Sequence, residues 1–227
     1  MGRGEYDSPC NPRALTWKGI MSLLITTPAI IEPVTLDEVK ARLRLATSDD
    51  DATITANITA AREFAEKSTR RSLTVKGYAL FLDGFPNPYE PIRLPAPPLV
   101  NPLAVVVKYL DETLTSQVWP VAEYFLAAMQ EPALIVPVPG TIYPSTGRVP
   151  GCVEIDYQAG YGFAGIPAAG LVPAVPAGPA CPEHLREGIR QLAVHIYEHP
   201  SAVTSEGLKE APLALMAFFG SNRVYTF

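Results

Sequence analysis

Two histidines one helical turn apart, His195 and His199, are the residues of this sequence best spaced to hold a metal ion. On a helix, an i, i+4 pair can turn both imidazoles toward one cation. The pattern stops there: no glutamate holds the HExxH position, the one between them being Glu198, next to His199, and the third histidine, His184, falls on a different turn. The expectation is a half-exposed pair near a helix C-terminus, where positive charge complements the helix dipole. A second candidate is "GYGFAG", from Gly160, which invites a phosphate-loop reading. It lacks the Gly-Lys-Ser/Thr ending of a P-loop and misses the GxGxxG spacing. No helix start follows for about twenty residues, so no helix dipole is aimed at it. It reads as the end of a strand, with glycine supplying backbone freedom.

The remaining chemistry-bearing groups do not assemble either. Asp49, Asp50 and Asp51 are adjacent, but a helix start explains them. A GxSxG elbow is absent, and no Ser/His/Asp or Cys/His set can be built without inventing geometry. Cys10, Cys152 and Cys181 are far apart and odd in number, with no CxxC, which fits a reducing compartment better than a disulfide framework. No catalytic, cofactor-binding or metal-ligating residue is therefore expected. A small-ligand module would need a concave site with convergent polar groups.

The elements that would have to position a site are easier to read. With 227 residues, 48% of them hydrophobic, the chain can bury a real core. Residues 1–34 read as an N-terminal extension or arm, with Met21 a plausible second start. Thr35 and Glu38 form a T-x-x-E capping box that opens helix 1, running to about Leu45 with Leu36, Val39 and Leu43 on its apolar side. "TSDDD" is a break and a new N-cap. Helix 2 follows from about Asp51 to Arg71, with a stripe of Ile54, Ile58, Ala61 and Ala65 flanked by Phe64. Lys67, Arg70 and Arg71 at its end read as dipole compensation and solvated charge, with phosphate contact the alternative.

The helical unit thus spans 35–72. Residues 76–158 change to short apolar or alternating runs, "YALFLD", "PIRL", "LAVVVKYL", "EYFLA", "ALIVPV" and "VEIDYQ", separated by Pro/Gly turns. They predict a mostly antiparallel β-domain of about six strands. A Gly/Ala/Pro-rich loop occupies 159–182. Helix 3 covers 183–199, starting near Pro182, with Leu185, Ile189, Leu192 and Ile196 repeating the stripe of helix 2. The fold class expected is α+β: a helical layer of two N-terminal helices and a C-terminal helix, packed through matching stripes, with the β-domain inserted between them.

The tail, 200–227, has no obvious place in either layer. Leu213, Leu215, Met216, Phe218 and Phe219 form a short apolar segment, and Tyr225 and Phe227 lie beyond it. It either packs on its own domain or inserts into a neighbouring subunit or partner groove. No apolar run approaches the ~20 residues of a membrane-spanning helix. A net charge of −5 argues against nonspecific nucleic-acid binding, which needs basic surface.

Three stretches together resemble the head–tail connector (adaptor, or head-completion) family of long-tailed bacteriophages and gene transfer agents. They are "PVTLDEVKARLRL" followed by "DDATITANITAAREFAEKSTRRSL"; the strand-rich middle from "YALFLDGFP" and "IRLPAPPLV"; and "VEIDYQAGYG", then a loop, then "CPEHLREGIRQLAVHIYEH". The resemblance covers about 33–199. The long N-terminal extension, the expanded "GFAGIPAAGLVPAVPAGPA" loop and the aromatic tail depart from the family pattern.

The resemblance implies a virion protein of the head–tail neck, assembled in the host bacterial cytoplasm, without catalysis or cofactor. It implies a homo-oligomeric ring, commonly twelve-fold, beneath the portal protein. Such a ring extends the DNA channel without specific DNA binding and receives the next neck or tail protein, a stopper or tail terminator. A weakly acidic lumen would let DNA slide. By the same resemblance, Leu213, Leu215, Met216, Phe218, Phe219, Tyr225 and Phe227 are the candidate portal-docking residues. The alternatives are another neck or tail-completion protein that ignores the portal, or a small-ligand-binding or enzymatic module.

Overall fold

The computed structural model describes residues 22–88, 90–162, 179–199 and 218–224. Three helices form one layer: α1 (Leu36–Leu43), α2 (Asp51–Thr69) and α3 (Glu183–Glu198). The capping box is present: the Glu38 N–H donates to Thr35 Oγ1 (3.3 Å), and the Thr35 N–H donates to Glu38 Oε2 (2.9 Å). Ile54, Ile58, Ala61 and Ala65 of α2 meet Leu185, Ile189, Leu192 and Ile196 of α3 in one buried cluster, so the matching stripes do pack together. Ion pairs hold α1 to the same layer, Arg186 to Glu38 at 2.7 Å and Arg42 to Glu187 at 2.7 Å.

The "TSDDD" break behaves differently from expectation. Asp50 is the N-cap of α2 but makes no side-chain cap bond. Its carboxylate accepts the Tyr197 hydroxyl of α3 instead (2.8 Å), and Asp51 pairs with Lys40 of α1 (2.6 Å). Tertiary contacts between helices have claimed the oxygens that a local cap would use.

The described residues contain eight strands in two sheets, every strand pair antiparallel. The larger sheet has the order β1-β2-β8-β4-β5: β1 (Ser22–Thr27), β2 (Lys76–Leu82), β4 (Val106–Leu110), β5 (Ser116–Val118) and β8 (Val153–Ala159). The smaller has the order β3-β7-β6: β3 (Ile92–Leu94), β6 (Tyr124–Ala127) and β7 (Ala133–Pro137). Two strands correct the sequence reading. β1 lies in what was expected to be an arm, and pairs with β2 from Ser22 opposite Phe81 to Thr27 opposite Gly77. β5 is three residues long, too short for its alternation to register. The β-domain core joins the two sheets around Trp119, Tyr124, Tyr143 and Phe85, with Ile155, Leu80 and Ile135 beneath them.

Two polar joints tie the layers. Glu66 near the end of α2 accepts from Lys76 Nζ at the start of β2 (2.5 Å), from Arg62 (2.8 Å) and from the Leu73 N–H (2.9 Å). Arg62 is 5% exposed. Burial alone would lower its pKa, but the bond to Glu32 and the charges of Glu66, Glu32 and Glu63 raise it, so it stays a cation. Arg71 forms the second joint, donating to Glu131 (2.5 Å), to the Asn222 carbonyl (3.0 Å) and to the Tyr161 hydroxyl (3.3 Å). Arg71 is therefore a structural clamp, not solvated charge.

Candidate interaction surface

The motif around Gly160 sits at a crossing of backbones. Gly160 has φ +131°, and a Cβ there would lie 1.9 Å from the Thr74 carbonyl oxygen. Its N–H donates to the Pro98 carbonyl (2.8 Å), and the Gly162 N–H to the Pro179 carbonyl (2.9 Å). β8 ends at Ala159, as the strand-end reading expected, and Tyr161, held by Arg71, packs that end against the helical layer. Phe163 and the residues that follow it, to 178, lie outside the described residues.

The histidines lie apart from any ligand set. The His195 and His199 rings are 4.6 Å apart, and His199 Nδ1 lies 3.2 Å from the His195 carbonyl. His184 bonds Asn222 (2.9 Å). Among the described residues, no three of His, Cys, Asp and Glu are grouped to hold a metal, and no helix is long and apolar enough to cross a membrane. Cys152 is buried with its thiol donating to the Asp83 carbonyl (3.2 Å). Burial pushes the Cys181 thiol up to about 12, which suppresses the reactive thiolate.

Of the seven tail residues expected to dock, two are described. Phe219 is 0% exposed in the helical core, edge-on to Phe64 at 6.3 Å. Phe218 packs partly buried beside it, 6.0 Å from the His184 ring. A Cβ on Gly188 of α3 would lie 3.0 Å from both phenylalanine rings, so the helix leaves room for them. The Val224 N–H donates to the Thr69 carbonyl at the end of α2 (2.9 Å). The helical turn at 218–221 thus belongs to the chain's own core, and Phe219 is a core residue instead of an exposed anchor. Leu213, Leu215, Met216, Tyr225 and Phe227 lie outside the described residues.

Both edges of the β-domain carry exposed apolar residues. Every residue of β1, "SLLITT", is exposed, and the strand ends its sheet. Natural edges are usually blunted by charge, proline or bulges; β1 carries no charge or proline, and only one register shift, between Ile25 and Thr27. Leu23 and Ile25 stand opposite Leu80 and Tyr78, which places them on the core-facing side of the sheet. The smaller sheet stops short of them. A groove of about 800 Å³ results, floored by Leu23, Ile25, Tyr78 and Pro95 and walled by α2. Glu63, Glu66, Lys67, Arg70, Arg71, Lys76 and Arg93 line it, five cations to two carboxylates, with Arg71 already paired to Glu131 and Lys76 to Glu66. The opposite edge, β5 to β6, exposes Leu114, Val118, Val121 and Phe125. A second groove of about 810 Å³ lies between loops 83–88 and 142–150.

β1 was legible only as apolar and β-branched residues after Met21. Its position ahead of a capped helix, far in sequence from its partner, concealed the pairing.

Comparison with known proteins bears on what such surfaces serve. Residues 33–113 match the model of a family described as Phage gp6-like head-tail connector protein. No curated protein matches in sequence. Among solved structures, a chain from the neck of an empty gene transfer agent particle, computed with C6 symmetry, has 21% identity and a TM-score of 0.67, covering 91% of this chain and 97% of its own. A chain from the virion of a native gene transfer agent particle gives 21%, 0.66, 90% and 96%. One from the neck of the native particle, computed with C12 symmetry, gives 20%, 0.63, 92% and 97%. The α+β fold is therefore shared over nearly the whole chain. These matches support the connector resemblance read from the sequence.

Proposed function

We propose, from the head–tail connector match over 33–113 and the fold shared with gene transfer agent neck chains, that this protein is a structural component of a particle neck. It assembles as a ring beneath the portal, extends the DNA channel and receives the next neck or tail protein. The observation that carries this is the joint match: a connector sequence pattern over α1, α2 and β2 to β4, on a fold that runs almost end to end with a chain from a particle neck. The C6 and C12 symmetries of those particles support a closed ring. The docking role proposed for the tail falls to Leu213, Leu215, Met216, Tyr225 and Phe227, with Phe218 at its base and Phe219 anchoring the segment to its own domain.

The experiment is to mix the purified protein with the portal ring of the same particle and image the mixture by negative stain. A collar at the narrow end of the portal is expected, and its symmetry gives the copy number. Bare portals beside free protein would remove the portal as partner and favour a tail-side neck protein.

A further inference from the structure

The two edges of the β-domain differ in charge as well as in position. β1 and β5 terminate the same five-stranded sheet, about 19 Å apart at the usual strand spacing. β3 lies on the β1 side, because Arg93 and Leu23 line one groove. β6 lies on the β5 side, joined through Trp119 and Tyr124, whose rings are 4.9 Å apart. On the groove side, Lys67, Arg70 and Arg93 are exposed around an apolar floor. On the far side Asp111, Glu112 and Glu123 accompany the exposed Leu114, Val118 and Val121; Lys108, opposite Val118, is already paired with Asp156 at 2.6 Å, and the sequence has no further lysine or arginine before Arg148. The Asp111 carboxylate is held ionised by bonds from Thr113, Thr115 and Gln117 in its own turn.

We infer that the acidic, apolar β5–β6 edge of one copy of this chain seats against the cationic, apolar groove at the β1–β3 edge of the next. The proposal rests on the ring reading above and names its subunit contact. A second copy fits because the two surfaces are complementary in charge, both carry uncovered apolar side chains, and they lie on opposite edges of one molecule. Contacts between unlike patches propagate head to tail, and close when the rotation between copies divides a full turn. An exposed strand edge without gatekeeping charge is then explained as an interface surface. Opposite potentials across the contact also select the register and exclude like-with-like pairing.

Charge-altering substitutions in two separate full-length proteins test this. One carries Lys67→Glu with Arg93→Glu in the groove; the other carries Glu112→Lys with Gln117→Lys on the far edge. All four side chains are exposed, and circular dichroism verifies each fold. Assembly is read by mass photometry and by negative stain, with and without portal rings. Each variant alone is expected to remain unassembled where the parent forms rings. An equimolar mixture is expected to assemble, since groove-reversed and edge-reversed copies can alternate around the ring. Variants that each form rings like the parent overturn the interface while leaving the ring intact, as does a mixture of folded variants that fails to assemble. A parent that forms no ring under any condition removes the ring reading, and this contact with it.

Discussion

At the scale of single residues, Glu66 decides whether the two layers hold together. Its carboxylate faces two cations, Arg62 and Lys76, that are 5% and 6% exposed. Glu66→Ala leaves both buried charges short of a partner, which costs about 3–5 kcal/mol. A thermal midpoint lower by roughly 10 °C is expected from circular dichroism. An unchanged midpoint would mean that Glu32 alone neutralises the site. Gly160→Ala fails for a different reason: its Cβ meets the Thr74 carbonyl at 1.9 Å and the backbone has positive φ, so a loss of more than about 1 kcal/mol is expected in urea unfolding. The sequence revealed that Gly160 needs freedom, but not why, because Thr74 belongs to a different stretch of backbone. Glu66 was equally hidden, since one partner lies beyond the end of its helix. Thr35 and Glu38 were legible because a capping box is local. Asp111 adds a pH signature. Hydrogen bonds from Thr113 and Thr115 draw it from the usual 3.8 down to about 2. A depressed carboxylate stabilises the fold above its unfolded pKa, and that contribution fades as pH falls from about 4 toward about 2. A carboxyl NMR titration is expected to place Asp111 near the lower figure.

At the scale of elements, the helical turn at 218–221 changes what a tail deletion tests. Phe219 fills a gap among Phe64, Gly188 and the stripes of α2 and α3. Phe219→Ala should cost about 3–5 kcal/mol as a buried aromatic truncation. Deletion of 212–227 should therefore destabilise the helical layer as well as remove the proposed docking residues. A cleaner test of docking keeps the turn and replaces Leu213, Leu215 and Met216 with serine, expecting a native midpoint with reduced portal binding. Full binding by that variant would remove those three from the docking surface. The two long helices were legible because their stripes repeat at helical spacing and match each other. β1 and β5 were not. One is separated from its partner by α1 and α2, and the other is too short to show a period, so only the assembled sheet reveals them. The groove inherits that blindness: it exists because β1 extends the larger sheet past the smaller one, a fact of topology that no local pattern encodes.

At the scale of the whole molecule, a net charge of −5 conceals a polarity. Cations gather where α2 ends beside β1 and β3, and carboxylates outnumber cations along the edge of β5 and β6, where Lys108, opposite Val118, is already paired with Asp156 and Glu154. Charge separated across the β-domain gives neighbours a preferred order around a ring, whereas a uniform acidic surface would only repel them. The separation makes a prediction independent of any substitution. From about 0.1 M to about 1 M salt the screening length falls from about 10 Å to about 3 Å. Self-association through the two edges should weaken over that range, seen as a rising monomer fraction in sedimentation velocity. Attachment through apolar tail residues should hold or strengthen, because hydrophobic contact is not screened. A ring whose stability ignores salt would place the binding energy in the apolar strand edge of β1 and in Val118 and Val121, leaving the charges to set orientation and encounter rate. Arrival and residence then separate the two contributions: salt should slow the first even where it spares the second.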